Sequence, residues 1–201
     1  KAAVTGASFN RYDTYVDAKA GTPLGYVQAQ ATEAASGDYE DGDGTQVNSA
    51  YRRRSLSAAV GWTPDEHTRL ELSAIESRAK AAYADRSMDG SKFDRSNVGL
   101  KFEKTHMSGV LNAVEAQVYY NYVDHVMDNY TLRDPDPMGS MPMAMASNVG
   151  HRTTGGRVAA TWGTEGWEIT AGVDQRSSRH SQRSAMGRGN YRNVAWTTDA
   201  E

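Results

Sequence analysis

The chain has 201 residues, with 22 basic and 25 acidic side chains and a formal net charge of −3. This balance gives no electrostatic case for a nucleic-acid partner, whose footprint is a basic patch. Cysteine is absent, which excludes disulfides, zinc-thiolate sites and thiol nucleophiles within the chain. The apolar runs are only a few residues long, whereas a transmembrane helix needs about 20. Composition therefore excludes a helical span and leaves a membrane β-barrel open.

A two-residue alternation of apolar and polar side chains recurs through most of the chain and predicts β-strands. A weaker first strand is expected at about 7–18, and a last one begins near Arg192 and reaches the end. The clear runs between them lie at 27–32, 55–62, 69–74, 98–103, 114–127, 157–162 and 167–174. We predict eight strands and the start of a ninth, many of them longer than the ~5–6 residues usual in soluble domains. Residues 76–86 have some helix propensity but continue a strand pattern into a loop.

The connections between these strands alternate in length. Short turns are expected at 20–25, 63–68, 105–109 and 163–166, and long loops at 37–50, 82–94, 128–151 and 177–192. Such one-sided loops are typical of bacterial outer-membrane barrels, with long loops outside the cell and short turns in the periplasm. The short turns are flanked by Trp62, Trp162 and Trp167. These residues belong to the alternate, mostly apolar positions of their strands, where the aromatic girdle of a barrel is expected. A soluble β-sandwich with buried tryptophans is the alternative.

The sequence thus predicts an all-β fold, an antiparallel transmembrane β-barrel of which residues 1–201 form part of one domain. Eight strands can close into a barrel. However, the chain starts at Lys1 without a visible signal peptide and stops at Glu201, partway into a strand and without a terminal aromatic residue. We therefore expect a section of a larger barrel, since its unpaired edges could not stand alone in lipid.

Four methionines lie in the longest predicted loop: Met138, Met141, Met143 and Met145. An extended segment would place the last three thioethers on one side, because they are spaced by two. Methionines in a loop can simply cover an apolar patch. The surrounding loop is otherwise polar, however, and thioether is a soft ligand that selects Cu(I) over Mg²⁺ or Ca²⁺. The loop therefore predicts copper capture, with packing as the alternative.

His125 and Met127 belong to the alternate, mostly polar positions of the strand at 114–127, next to this loop. In a barrel these positions face the lumen, so the imidazole and the thioether project from one face within reach of one ion. Together these two groups favour copper over harder cations. Two ligands are too few for tight binding, so further ligands are expected from elsewhere.

Several motifs resemble the TonB-dependent copper receptors of the outer membrane, the OprC/NosA type. They are Asn121–Arg133, Gly61–Asp65, Tyr83–Arg86 with Met88–Arg95, and Tyr39–Gly44. The resemblance covers most of residues 6–176 and is most specific at 60–133. It implies a 22-strand barrel filled by an N-terminal plug, with energy for copper import relayed by TonB.

In this family the high-affinity site joins a barrel His-x-Met to a Cys-x-x-x-Met of the plug. His125 and Met127 match the barrel half, whereas the plug, its cysteine and the TonB box are not in this chain. The resemblance therefore implies a barrel section whose partners are copper, as Cu(I), the plug and TonB.

The sequence leaves other functions open. One is an outer-membrane channel or adhesin-type barrel without a metal role, and another is a soluble β-rich binding module. No motif supports an enzyme, since Gly-x-Ser-x-Gly is absent. Asp41–Gly44 is interpreted as an Asp/Gly-rich turn rather than a calcium loop. The basic run 52–54 is interpreted as a solvated rim of the sheet or as a contact to lipopolysaccharide. A barrel would also contact the lipid of the outer membrane.

Overall fold

Ten antiparallel strands form one continuous sheet in the computed structural model, which describes residues 1–107 and 109–200. Their order in the sheet follows the chain, so that every strand pairs with its neighbours in sequence. The strands are β1 (Ala2–Ala7), β2 (Arg11–Thr22), β3 (Gly25–Ser36), β6 (Tyr51–Asp65), β7 (Thr68–Ala81), β8 (Asp89–Thr105), β9 (Leu111–Asp128), β10 (Met145–Thr164), β11 (Trp167–Met186) and β12 (Thr197–Ala200). The two-residue strands β4 (Tyr39–Glu40) and β5 (Gln46–Val47) form a separate hairpin.

The predicted alternation of short turns and long connections is confirmed. Only two residues separate β2 from β3, β6 from β7, and β10 from β11, whereas residues 82–88, 129–144 and 187–196 connect the strands at the opposite end. The prediction that residues 76–86 do not form a helix is also confirmed, because β7 continues to Ala81. No helix in the described ranges combines the length and apolar character that crossing a membrane demands.

Five predicted boundaries were wrong. The first strand is split by a turn at residues 8–10, where Phe9 and Asn10 have positive φ angles of 59° and 55°. The loops expected at 82–94 and 128–151 are shorter, since β8 begins at Asp89 and β10 begins at Met145. The loop expected at 177–192 is largely strand, because β11 pairs with β10 residue by residue as far as Met186. Near Arg192 the chain forms a 3₁₀ turn, Asn190–Asn193, before β12.

The pairing register gives the sheet two chemically different faces. Val27, Val60, Leu72, Leu100 and Val118 are successive cross-strand partners across five strands, and all remain 39–57% exposed. We call the side that carries this row the apolar face. Large apolar side chains that stay exposed together are those of a surface built to contact lipid or another protein.

The opposite side, here called the polar face, carries ion pairs. On β7 and β8, Arg69 pairs with Glu103 at 2.7 Å, and Lys101 pairs with Glu103 at 2.6 Å. The two faces follow from the two-residue period of a strand. They are the arrangement of an outer-membrane barrel wall, apolar towards lipid and polar towards the lumen.

Candidate functional site

His125 and Met127 lie near the loop end of β9, on the polar face. The register places His125 between Phe93 of β8 and Val149 of β10, and it places Met127 between Gly90 and Ser147. Both side chains are half-buried. The predicted spacing therefore puts the imidazole and the thioether on one face, at the base of residues 129–144, which we call the methionine loop.

The Nε2 atom of His125 is buried and has no hydrogen-bond partner among the described residues. Buried side-chain nitrogen atoms are normally paired, so each exception calls for a physical explanation. The ring stacks on Phe93 with 4.4 Å between ring centroids and 29° between ring planes. Stacking fixes the imidazole plane without using either nitrogen. An oriented nitrogen without a partner is suited to bind a metal ion.

Gly90 makes room for the ring that orients His125. A Cβ atom at this position would lie 1.8 Å from Cε2 of Phe93, far inside contact distance. The register shifts between Gly90 and Lys92, which brings Phe93 opposite His125 while Gly90 stays opposite Met127. Sequence reasoning missed both Gly90 and Phe93, because neither can ligate a metal and their position depends on this bulge.

Asn129 holds the methionine loop against the strand ends. Its Nδ2 donates to the carbonyl oxygens of Met141 and Met143, both at 3.0 Å. Its Oδ1 accepts from the amide of Met145 at 2.9 Å. Asn129 is only 1% exposed. One buried amide thus ties three alternate residues of the methionine run to the end of β9, a role that the sequence pattern did not indicate.

The four methionines that the sequence predicted to lie in the loop differ in exposure. Met138 is 97% exposed and Met143 is 59% exposed, whereas Met141 and Met145 are half-buried. Only Met145 lies in a strand, so the extended geometry considered for the run applies to its last member alone. Its cross-strand partner on β11 is Met186, which places a further methionine beside the loop. Met186 was missed because β11 had been expected to end earlier.

A buried ion pair anchors the first part of the methionine loop, at Arg133. The Arg133 guanidinium bonds both carboxylate oxygens of Asp89, with Nε to Oδ2 at 2.8 Å, and also donates to the carbonyl oxygens of Tyr83 and Arg86. Asp89 is fully buried. Burial alone raises the pKa of the Asp89 carboxyl, but hydrogen bonds from Arg133 and from the Tyr83 amide outweigh it and hold the pKa below its usual value.

The remaining candidates from the sequence are placed as follows. Asp41 Oδ1 accepts from the amides of Asp43 and Thr45 at 3.0 and 2.9 Å, so this carboxylate caps its own turn. Within the described ranges, no three His, Asp or Glu side chains converge as a metal-binding group. In the basic run, Arg52 and Arg54 share the apolar side of the sheet and pair with Glu33 at 3.2 and 3.0 Å.

Comparison with solved structures finds a barrel of this kind. The structure of the copper transporter OprC superposes with a TM-score of 0.93 and 45% identity, covering 98% of this chain and 32% of that protein. A double mutant of the Serratia marcescens hemophore receptor HasR, in complex with its hemophore HasA and heme, gives a TM-score of 0.69. It is 16% identical, covering 99% of this chain and 29% of that one, and supports the fold alone.

The other two comparisons find nothing: no family model and no curated protein matches the chain. The chain spans about a third of the length of the OprC structure that it matches (32%). The identity extends over nearly the whole chain, and the sheet has the strand order and the two faces of a barrel wall. The chain therefore has the fold of a section of a TonB-dependent receptor β-barrel, and over nearly its whole length it is similar to the structure of the copper transporter OprC.

Proposed function

We propose that this chain forms the barrel side of a copper site, and that the full-length protein imports copper across the outer membrane. The observation that carries the proposal is the buried Nε2 of His125, which has no hydrogen-bond partner in the described part of the chain and lies on the same face as the Met127 thioether. Neutral imidazole with thioether is a donor set for copper, and the thioether favours Cu(I). Copper is the cargo, and the likeness to a copper transporter supports this choice.

In this proposal the methionine loop faces the outside of the cell and collects the ion. The side chains of Met138 and Met143 are exposed there, while those of Met141 and Met145 lie nearer the strand ends. Met127 and His125 then bind the ion on the lumenal side of β9. The ion can pass from one thioether to the next, because ligands of similar affinity do not hold it strongly at any single position.

The remaining ligands would come from a plug domain outside this chain, as in the family it resembles, with residues 1–201 belonging to a single barrel domain. A site shared by two domains has a simple release mechanism. If TonB moves the plug, the ion loses part of its ligand set, and two barrel ligands alone bind it weakly. His125 and Met127 thereby supply binding without preventing release.

Copper uptake by intact cells tests this proposal. Cells that depend on the full-length protein should accumulate copper, and the combined change His125→Ala and Met127→Ala should reduce that accumulation to the level of cells without the protein. Glu115→Ala with Gln117→Ala removes two side chains of the same spacing on the same face of β9 and is the matched control. Undiminished uptake by the first variant would contradict the proposal.

A channel or adhesin-type barrel without a metal role is the competing function. It predicts that a copper-starved cell gains nothing from the protein, and that passage of solutes does not require energy. Uptake that stops when TonB is deleted, with the protein still in the membrane, would exclude the channel.

We also propose that lipopolysaccharide contacts the basic residues at the loop end of the apolar side. Arg52, Arg54 and Arg78 are 48%, 60% and 72% exposed there. Their guanidinium groups match phosphate geometry. Binding of the full-length protein to vesicles should gain from lipopolysaccharide, and the gain should vanish when Arg54 and Arg78 are replaced by Gln. An equal gain in that variant would contradict the contact.

A further inference from the structure

A second pair of potential metal ligands lies on the polar face, on strands that do not carry the Met127 site. His151 of β10 and His180 of β11 are direct cross-strand partners. Their ring centroids are 5.8 Å apart and their planes are inclined by 35°. His151 is half-buried and His180 is exposed, so both rings are accessible from the polar side.

The separation of these rings is that of two imidazoles sharing one ion. A metal–nitrogen bond of ~2.0–2.1 Å plus about 1.1 Å from nitrogen to ring centre puts each ring centre ~3.1 Å from the ion. Two rings on one ion are then at most about 6.3 Å apart, when the arrangement is linear. A distance of 5.8 Å fits a moderately bent arrangement, which needs only rotation of the side chains.

The other histidine pair of the chain provides a contrast. His67 and His106 lie in the short turns and stack with 4.1 Å between ring centroids and 30° between planes. Stacked rings direct their nitrogen lone pairs side by side instead of towards a common point. That pair is a packing contact, and it offers a control with the same number of histidines.

The register also places a carboxylate next to the pair. Asp199 of β12 is the cross-strand partner of His180, so it lies on the same face. From this position a carboxylate can accept the N–H of a metal-bound imidazole, which raises the basicity of the ligand and fixes its orientation. The flanking side chains on the polar face, Thr153 and Gln182, are neutral. Among the residues that the structure describes, no cationic side chain on this face is next to the pair in the strand register, so none would repel a bound ion.

We propose that His151 and His180 bind one copper ion at a second site in the barrel wall. Imidazole nitrogen is a good ligand for copper as Cu(I) and as Cu(II), so the cargo needs no change of oxidation state at this site and Cu(II) can serve as the probe. His151 pairs with Val123 of β9, two residues from His125 towards the short turns. That step is roughly 7 Å along the strand. An ion released by His125 and Met127 would therefore meet this pair one step deeper in the lumen.

The second site rests on different residues from the proposed function, so the two can fail separately. The test uses the full-length protein, purified in detergent without a histidine tag, in which His125→Ala and Met127→Ala have removed the first site. Addition of one equivalent of Cu(II) should give an electron paramagnetic resonance spectrum of bound copper with nitrogen hyperfine splitting. Adding His151→Ala and His180→Ala should abolish that bound spectrum.

Two further variants sharpen the result. His67→Ala with His106→Ala should leave the bound spectrum unchanged, and Asp199→Asn should weaken copper binding about 10-fold, as loss of an outer-shell partner does. Circular dichroism confirms that each variant keeps its β-structure. The proposal is overturned if the background variant binds no Cu(II), or if the spectrum persists without His151 and His180. Failure of both sites together would point to a protein with no copper role.

Discussion

At the scale of single residues, Gly90 and Phe93 show how residues that are not proposed to bind metal can position the side chain of His125. Phe93 stacks on His125, and the absence of a Cβ at Gly90 leaves the space that the Phe93 ring occupies. The imidazole plane is thus fixed through packing, which leaves its buried Nε2 free of hydrogen bonds within the described residues. Side chains this closely packed have to shift when even a single methyl group is added.

Replacing Gly90 with Ala should weaken copper binding without removing a ligand. The new methyl group displaces the Phe93 ring, and overpacking costs about 1–3 kcal/mol. If half of that strain reaches the imidazole, the copper affinity falls about two- to tenfold. Gly99→Ala is the control on the same strand and face, because its Cβ would approach no atom closer than 3.4 Å. Copper titration of the full-length protein measures both, and equal affinities would exclude a role for Gly90.

Asp89 makes the anchoring of the methionine loop sensitive to acid. Its pKa is depressed in the folded protein, so its stabilising contribution is complete above the ordinary carboxyl pKa of ~3.9 and is lost as the pH falls through the lower folded value. Hydrogen-exchange protection of residues 129–144 should therefore stay constant from neutral pH to about pH 4 and drop below it. A drop between pH 7 and pH 5 would contradict this account.

Removing the buried charge partner of Asp89 should destabilise the methionine loop more than removing one member of an exposed ion pair. Arg133→Met leaves a carboxylate buried and unpaired, which costs on the order of 3 kcal/mol. Asp134→Asn breaks the pair between Arg188 and an Asp134 side chain that is 91% exposed, and such pairs contribute less than about 1 kcal/mol. The same exchange measurement at pH 7 should show lost protection in the first variant only.

At the scale of elements, the unit that matters is β9, the methionine loop and β10. Asn129 joins the end of β9 to Met141 and Met143 of the loop and to Met145 at the start of β10. The period of two in β9 was sufficient to predict that His125 and Met127 share a face. It did not predict the contacts of Asn129, because a buried amide in a loop leaves no periodic signal. Nor did it predict Met186, since the outer half of β11 is polar and shows no alternation.

Asn129→Ala should release the methionine run. In the native protein, hydrogen peroxide should oxidise Met138 and Met143 fastest, because they are the most exposed, and Met141 and Met145 more slowly. Without the Asn129 amide, all four should oxidise at similar rates, as measured by peptide mass spectrometry. Asn190→Ala also removes a side-chain hydrogen bond of a connecting segment, to Met186 O at 2.9 Å, and should leave the order unchanged. An unchanged order in Asn129→Ala would contradict the clamp.

At the scale of the whole molecule, the chain forms a barrel wall with one face for lipid and one for the lumen. Strand period, turn lengths and the positions of the tryptophans were enough to predict this architecture. The limits of individual strands were less predictable, because outside the apolar zone the strands carry polar residues on both faces. The turn between β1 and β2 contains Phe9 with a positive φ angle, a conformation that this residue type does not suggest.

Neighbouring residues of β7 test the assignment of the two faces. Leu72 lies in the row of exposed apolar partners, and Ser73 lies on the polar face. Leu72→Arg should destabilise the full-length protein by about 2–4 kcal/mol in lipid vesicles, as an arginine does at the bilayer midplane. Ser73→Arg should cost much less. The free energy of unfolding in urea distinguishes them, and equal costs would contradict the assignment of the apolar face to lipid.

The central claim is that His125 and Met127 are the barrel ligands of a copper site. Elemental analysis of the full-length protein, purified in detergent after expression with copper, tests it most directly. In protein that also carries His151→Ala and His180→Ala, which removes the proposed second site, we expect about one copper ion per protein, the content of a single soft-ligand site. We expect it to be lost from the His125→Ala, Met127→Ala variant and kept in the Glu115→Ala, Gln117→Ala control. Unchanged copper content without His125 and Met127, or a native protein free of copper, would contradict the claim.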